Sequence, residues 1–242
     1  KVHKKMYTVT LATGKKIKVT GDHSLFTINN NKLTPVRCAD LQVDDFLATP
    51  RHLPFAGEKL VIDLREHFIT FKDFQLAGDG LRAFLLPHKQ MLVRYRSKAQ
   101  VRSYLHLQRI PISIILKAGL LIPDHIASTL SIMPLRSTRF GRIRLPLIVS
   151  VDEHLACLAG LWIADGSYDR NSTILSVIDS ECIDVVNHVA RCLCNTRLKL
   201  HSDTISWMLH SAVFKRFFTE VLQLKGDAYT KRVPQWVFNL PK

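Results

Sequence analysis

Two periodicities divide the chain. Up to about residue 50, apolar and polar residues alternate in short runs; from residue 151, longer apolar stretches recur at helical spacing. Residues 6–11 (Met-Tyr-Thr-Val-Thr-Leu) alternate, 13–16 supply a Gly-containing turn, and 17–20 return as a second strand. Residues 21–26 (Gly-Asp-His-Ser-Leu-Phe) read as another short strand, 29–32 (Asn-Asn-Asn-Lys) turn, and 33–36 and 46–50 read as further strands around 39–45. The pattern predicts a small all-β module. After residue 151 it predicts the order α-β-β-α-β-β-α. An apolar helix ends at Asp165-Gly166, and a turn at 167–171 leads into a strand over 173–178. Asp179 caps a helix to about residue 193, with Ile183, Val186, Ala190 and Leu193 on one face. A hairpin over 198–209 turns at Ser202-Asp203, and Ser211 caps a helix over 212–222.

The middle is less regular. Pro50, Pro54 and Gly57 mark a boundary, and 60–74 mixes apolar and charged residues with weak periodicity. Ser97 is a candidate N-cap for a helix over 98–107; Arg109-Ile110-Pro111 breaks it, a second short helix covers 112–117 and ends at Gly119, and a third starts at Asp124. Two short helices joined by a tight turn, with Arg94, Arg96, Lys98, Arg102 and Arg109 nearby, fit either a helix-turn-helix-like DNA contact or a helical insert with a solvated basic face. Residues 138–146 read as a basic linker. The expected fold class is α+β, in three domains: 1–50, 51–150 and 151–242.

Composition narrows the partners. Of 242 residues 47% are hydrophobic, enough for real cores, while 34 Lys+Arg against 20 Asp+Glu give a formal net charge of +14. That excess favours a polyanion, nucleic acid first. No apolar run reaches the ~18 residues of a membrane span, and no secretory signal precedes the first strand. The cysteines are Cys38, Cys157, Cys182, Cys192 and Cys194, an odd set without a Cys-x-x-Cys pair. They read as free thiols in a reducing compartment, the cytoplasm or nucleoid of a prokaryote, with no zinc site and no membrane partner.

The chemistry gathers at residues 155–166. Ala156, Gly160 and Ala164 recur every four residues and so share one helix face, along which a second helix can approach closely. Gly166 suits the left-handed position past a helix end, which leaves Asp165 at the C-terminus. Two such helices would bring two carboxylates together and invite a divalent metal.

The segment Leu158 to Gly166, spelled LAGLWIADG, resembles the LAGLIDADG motif of homing endonucleases, departing at Trp162 and Ile163. The resemblance implies metal-dependent hydrolysis of double-stranded DNA, with Mg2+ held by Asp165 and an equivalent acid. That acid would come from a second LAGLIDADG half, supplied by a C-terminal continuation or a second chain. It also implies a curved sheet in the DNA major groove, with Tyr168, Arg170, Arg197, Lys199, His201 and Ser206 as candidate readers. Lys231-Arg232-Val233-Pro234 resembles the family's Lys-x-Ile-Pro block, whose lysine lies near the active-site water; this points to Lys231, with Lys225 second.

At the other end, Thr20-Gly21-Asp22-His23 and Leu41-x-Val43-x-Asp45 resemble two sequence blocks of the self-splicing Hint fold of inteins. The resemblance implies that His23 protonates the leaving amide of a scissile peptide, assisted by Thr20, in a partial splicing module. Asp44 stands where the second block usually has glycine. No Cys or Ser nucleophile precedes the module and no His-Asn pair closes the sequence, so the chain is expected not to splice. Together the resemblances imply an intein-type, site-specific DNA endonuclease. The alternative from another class is a non-cleaving nucleic-acid-binding protein, a LAGLIDADG-type RNA maturase or a decayed intein.

Overall fold

The structure, a computed structural model, describes residues 4–49, 57–135, 143–227 and 230–240. The chain divides into two units, Lys1–Leu53 and Pro54–Lys242. In the first, β1 (Met6–Thr10) pairs antiparallel with β2 (Lys16–Thr20), and β3 (Ser24–Asn29) with β4 (Lys32–Arg37). The second hairpin turns on Asn30 and Asn31, at φ +48° and +57°. Consecutive left-handed residues match the twist of the flanking strands, and asparagine tolerates them. The strand expected over 46–50 does not form. Over the described residues that segment runs extended along β3, with Thr27 Oγ1 donating to the Phe46 carbonyl at 2.7 Å and Ala48 N to the Phe26 carbonyl at 2.7 Å. Asp44 takes φ +77°, the conformation in which glycine is least strained. Asp45 steadies that bend by accepting from Gln42 N at 2.7 Å.

The second unit begins with β5 (Leu60–Asp63), β6 (Phe74–Ala77), α1 (Leu81–Leu85), α2 (Lys89–Leu92) and α3 (Lys98–Leu107). Then come β7 (Arg109–Pro111), α4 (Ile112–Ala118), α5 (Asp124–Ala127), β8 (Ser131–Pro134), β9 (Leu145–Pro146) and β10 (Ile148–Val151). Ser97 caps α3 in a reciprocal box with Gln100, and Gly119 closes α4 at φ +60°, as the sequence predicts. The tight turn between α3 and α4 does not exist. Arg109–Pro111 is a strand, paired with β6 in the sheet β7-β6-β8-β9, because Ile110 is fully buried there. The helix-turn-helix reading is therefore set aside. Residues 138–142 of the expected basic linker, with Pro50 and Pro54, lie outside the described residues.

The remaining elements are α6 (Glu153–Asp165), β11 (Gly166–Asp169), β12 (Ser172–Ser176), α7 (Ser180–Cys194), β13 (Lys199–Leu200), β14 (Ser206–His210) and α8 (Ala212–Arg216), which continues as a wider π turn through Val221. The order is α-β-β-α-β-β-α, but residues 167–169, read from sequence as part of a turn, belong to the strand β11, and the second sheet runs β11-β12-β14-β13. The expected boundary near residue 151 has no counterpart in the packing. One apolar core runs from Leu64 and Phe71 through Ile110 and Leu147 to Trp162, Phe214 and Phe218. Arg216, at the end of α8, donates to the Thr70 carbonyl at 2.8 Å and pairs with Asp73 at 2.9 Å. Among the described residues no helix is long and apolar enough to cross a membrane, and the five cysteines are unpaired with one another.

Candidate functional site

Helix α6 starts where Asp152 accepts from Leu155 N at 2.8 Å. It buries Leu155, Leu158, Ala159 and Trp162, and leaves Cys157, Gly160, Ala164 and Asp165 exposed. Ala156 is half-buried against the core, so the open line of small side chains is Cys157-Gly160-Ala164. A Cβ added at Gly160 would meet nothing within 4 Å. This face is free to take a closely packed neighbour.

The end of the helix differs from expectation. Gly166 is extended, at φ −84° and ψ 159°, because the chain passes directly into β11 and a left-handed residue would turn it off that path. The glycine is required for another reason: a Cβ there would lie 2.4 Å from Trp162 Cδ1 and 2.6 Å from Trp162 Cα. Lys231 approaches the same turn. Its Nζ donates to the Trp162 carbonyl at 2.8 Å and the Gly166 carbonyl at 2.6 Å, and lies 4.5 Å from the Trp162 ring centroid. Partial burial pulls the Lys231 ammonium below the usual lysine range, against an opposing pull from Asp165. The structure thus brings Asp165 and Lys231 together.

On the other side Trp162 stacks on Tyr168, with centroids 4.8 Å apart and planes at 28°. The Tyr168 hydroxyl donates to the Leu224 carbonyl at 2.7 Å, and burial pushes its ionisation well above the usual tyrosine range. Lys215 Nζ lies 5.4 Å from the Tyr168 ring centroid and donates to the Arg170 carbonyl at 2.6 Å.

Register separates the candidate readers. Residues directly opposite on paired strands share a sheet face, and Tyr168 stands opposite Thr173, which stands opposite Leu209. Thr173 and Leu209 are fully buried, so Tyr168 belongs to the core-facing side and not among the groups expected to meet DNA. The other face carries Ser167, Ile174, Met208 and Lys199 in one row, and Ser172 beside His210 and Ser176 beside Ser206. Ser172 Oγ and His210 Nδ1 are 2.9 Å apart, and the Ser176 and Ser206 hydroxyls 3.0 Å. Ser172, Ser176, Ile174, Met208 and His210 were not singled out from sequence; strict alternation from Lys199 and Ser206 finds them once the pairing is known. Arg197 is exposed, and so is Arg170, at φ +40° in the β11–β12 turn. His201 is half-buried, 3.4 Å from the Asp203 carboxylate. In the middle segment Arg94, Lys98 and Arg102 are exposed, while Arg96 is half-buried and donates to the Tyr95 carbonyl at 3.3 Å.

In the first unit, Thr20 and His23 flank one turn, with His23 N donating to the Thr20 carbonyl at 3.1 Å. A Cβ at Gly21 would lie 2.8 Å from Tyr7 Cε2 and 3.2 Å from Ala39 Cβ, which explains the glycine between them. The His23 carbonyl accepts from Cys38 N at 2.9 Å, leaving the imidazole exposed. Lys4 and the Thr20 hydroxyl beside Asp22 hold its carboxyl down at about 2. Among the described residues no group of three His, Cys, Asp or Glu side chains converges to hold a metal. Asp165 therefore belongs to no such set, and one carboxylate does not by itself make a divalent-cation site.

The sequence comparisons agree with the blocks read at the N-terminal end. The family model of the intein splicing domain matches residues 1–233. A DNA polymerase of Thermococcus kodakarensis is 39% identical over 62 residues, covering 26% of this chain and 4% of that protein. Transcription initiation factor IIB of Methanocaldococcus jannaschii is 38% identical over 58 residues, 24% of this chain and 9% of that protein. A DNA polymerase of the same organism is 30% identical over 93 residues, 36% and 6% respectively. The chain spans less than a tenth of the length of each of these relatives.

Proposed function

The chain belongs to the intein splicing-domain family, and from that premise we propose that it couples a partial splicing module to a DNA endonuclease half of the LAGLIDADG type. The observation that carries the nuclease reading is the state of α6. Its small-residue face is open, and Asp165 stands exposed where that face ends. A second helix laid along Cys157, Gly160 and Ala164 would bring its own terminal acid beside Asp165. The divalent ion expected for phosphodiester hydrolysis, Mg2+, needs that second acid, from a second copy or a second half, and no step is assigned to it on Asp165 alone.

Charge supports a DNA partner. Between Leu81 and Pro123 the sequence holds Arg82, Lys89, Arg94, Lys98 and Arg102 among other cations, and no Asp or Glu. Such a stretch has no internal counter-charge and suits a phosphate backbone, whose neutralisation releases counterions. The sheet face with Ser167, Ser176, Lys199 and Met208 is the surface proposed to enter the major groove, which accepts a two-stranded ribbon; Ser172 and Ser206, on the same face, are buried. In the first unit His23 would act on the scissile amide, since a protonated imidazole can donate to a departing nitrogen.

The test uses Asp165→Asn and Gly160→Leu in the full chain, with Mg2+, a duplex library, nicking and gel-shift assays. Asp165→Asn should abolish nicking and leave affinity unchanged or slightly raised, because the basic contacts lie elsewhere. Gly160→Leu should weaken both. Salt-sensitive binding with no nicking, by the unmodified chain or by the chain joined to a second LAGLIDADG half, would select the non-cleaving reading; salt-independent binding would overturn the nucleic-acid reading altogether. For pairing, oxidation of the exposed Cys157 in a Cys192→Ser background should trap a covalent dimer if a second copy covers the face.

A further inference from the structure

The last carbonyls of a helix lack intrahelical donors, and the common remedy is a glycine in the left-handed conformation. At the end of α6 that remedy is closed, since Gly166 is extended and only its backbone N–H reaches back to the Trp162 carbonyl. Lys231 adds a second donor to that carbonyl and reaches the Gly166 carbonyl just beyond the helix. An ammonium has three N–H donors and no acceptor capacity. Two of the three are committed to the Trp162 and Gly166 carbonyls, and the Trp162 ring covers another side of the group. The positive charge also sits at the negative end of the helix dipole, where a cation is favoured.

The lysine is held from its own end as well. Gly226 adopts φ +111°, and a Cβ there would lie 2.9 Å from Lys231 N. The Thr230 hydroxyl donates to Asp227 Oδ1 at 2.8 Å and accepts from Asp227 N at 2.9 Å, and Lys231 N donates to the Asp227 carbonyl at 3.1 Å. Leu224, at the start of this turn, accepts the Tyr168 hydroxyl, and Tyr168 stacks on the ring that Lys231 covers. The segment and the helix end therefore close on each other at two points.

We propose that Lys231 is a positioning residue: it clamps the carbonyls on either side of Asp165 and so sets the direction in which that carboxylate leaves α6, without itself meeting a substrate phosphate. The clamp stands on the geometry alone; its consequence for Asp165 rests on the endonuclease reading. Lys225, exposed in the same segment, is the comparison.

The first measurement uses the unmodified full chain. Timed acetylation with an N-hydroxysuccinimide ester, read by peptide mass spectrometry, should label Lys231 about tenfold more slowly than Lys225, because its amine must first leave two charge-assisted hydrogen bonds. Equal labelling rates overturn the clamp. The second compares Lys231→Met, Lys231→Arg and Lys225→Met. Lys231→Met should move the backbone amide resonances of residues 162–167, and Lys225→Met should not; unmoved resonances in Lys231→Met also overturn the clamp. The third is nicking of duplex DNA. Lys231→Met should lower kcat about tenfold with DNA affinity unchanged, and Lys231→Arg should restore part of it. Moved resonances with a normal kcat overturn the positioning role and spare the clamp. A chain that nicks nothing even when joined to a second LAGLIDADG half, while Lys231 is protected and the resonances move, contradicts the endonuclease reading and upholds the clamp.

Discussion

The two units are built from similar local signals and differ in what those signals enclose. In the first, turn residues and alternating strands are in place, yet the only described hydrophobics that reach burial are Val19 and Cys38, while Val43 is 92% exposed and Phe46 86%. Its open side is a cleft lined by Tyr7, Val9, Leu11, Leu41 and Phe46. In the second, Phe71, Trp162, Phe214, Phe217 and Phe218 are fully enclosed in one core. Strand pairing is thus separable from core formation. Two-stranded ribbons are marginal alone, and among the described residues the first unit lacks the apolar cover that would stabilise its pair of hairpins.

The sharpest way to break this comparison is to truncate one large side chain in each unit. Phe214→Ala should cost ~3–5 kcal/mol in urea unfolding, the range for an enclosed aromatic, and Phe46→Ala should change stability by less than ~0.5 kcal/mol. Equal costs would mean that the first unit has a core after all. Within α6 the contrast can be drawn between two glycines. Gly166→Ala forces a methyl against Trp162 and should cost ~1–3 kcal/mol. Gly160→Ala fills open space in a helix interior and should stabilise by ~0.5–1 kcal/mol; thermal unfolding of the two variants reads both signs. A smaller effect belongs to the first unit: Asp44→Gly relieves a left-handed side chain and should slow amide exchange over residues 42–45, equivalent to about 0.5 kcal/mol.

The smallest effect is electrostatic. Asp22 titrates at about 2 in the folded chain against an ordinary 3.8, with Lys4 as the first cause. A depressed carboxyl contributes stability above the unfolded value, and loses it as pH falls from 3.8 through 2. Lys4→Met should bring the Asp22 titration, followed by carboxyl NMR, back toward 3.8. The pair is exposed, so the change in overall stability should be slight.

Much of the second unit was legible because its signals are local. Asp179 and Ser211 each sit at a predicted helix start with a short polar side chain, and each accepts from the first turn. The periodicity of α7, with Val186 and Ala190 buried on one face, likewise needs no tertiary information. What stayed hidden depends on partners far along the chain. Arg109-Ile110-Pro111 reads as a helix breaker, and only pairing with β6 makes it a strand. Gly166 looks like a helix stop in either conformation; the collision with Trp162 decides which. For Lys231 the block pattern pointed to the right neighbourhood, yet no local rule shows an ammonium reaching carbonyls 65 and 69 positions earlier.

The paired ribbons of the first unit carry one more consequence. The outer flank of β3 is met by the 46–49 segment, but no described strand pairs with the outer flank of β4, and the two strands expose Phe26, Ile28 and Leu33. Unprotected flanks of this kind template pairing between molecules. Concentrated solutions of the chain should therefore cloud through its N-terminal quarter while the remainder stays folded, and the deposit should give the 4.7–4.8 Å spacing of stacked strands. Lysine substitutions at Ile28 and Leu33 would keep such a preparation clear.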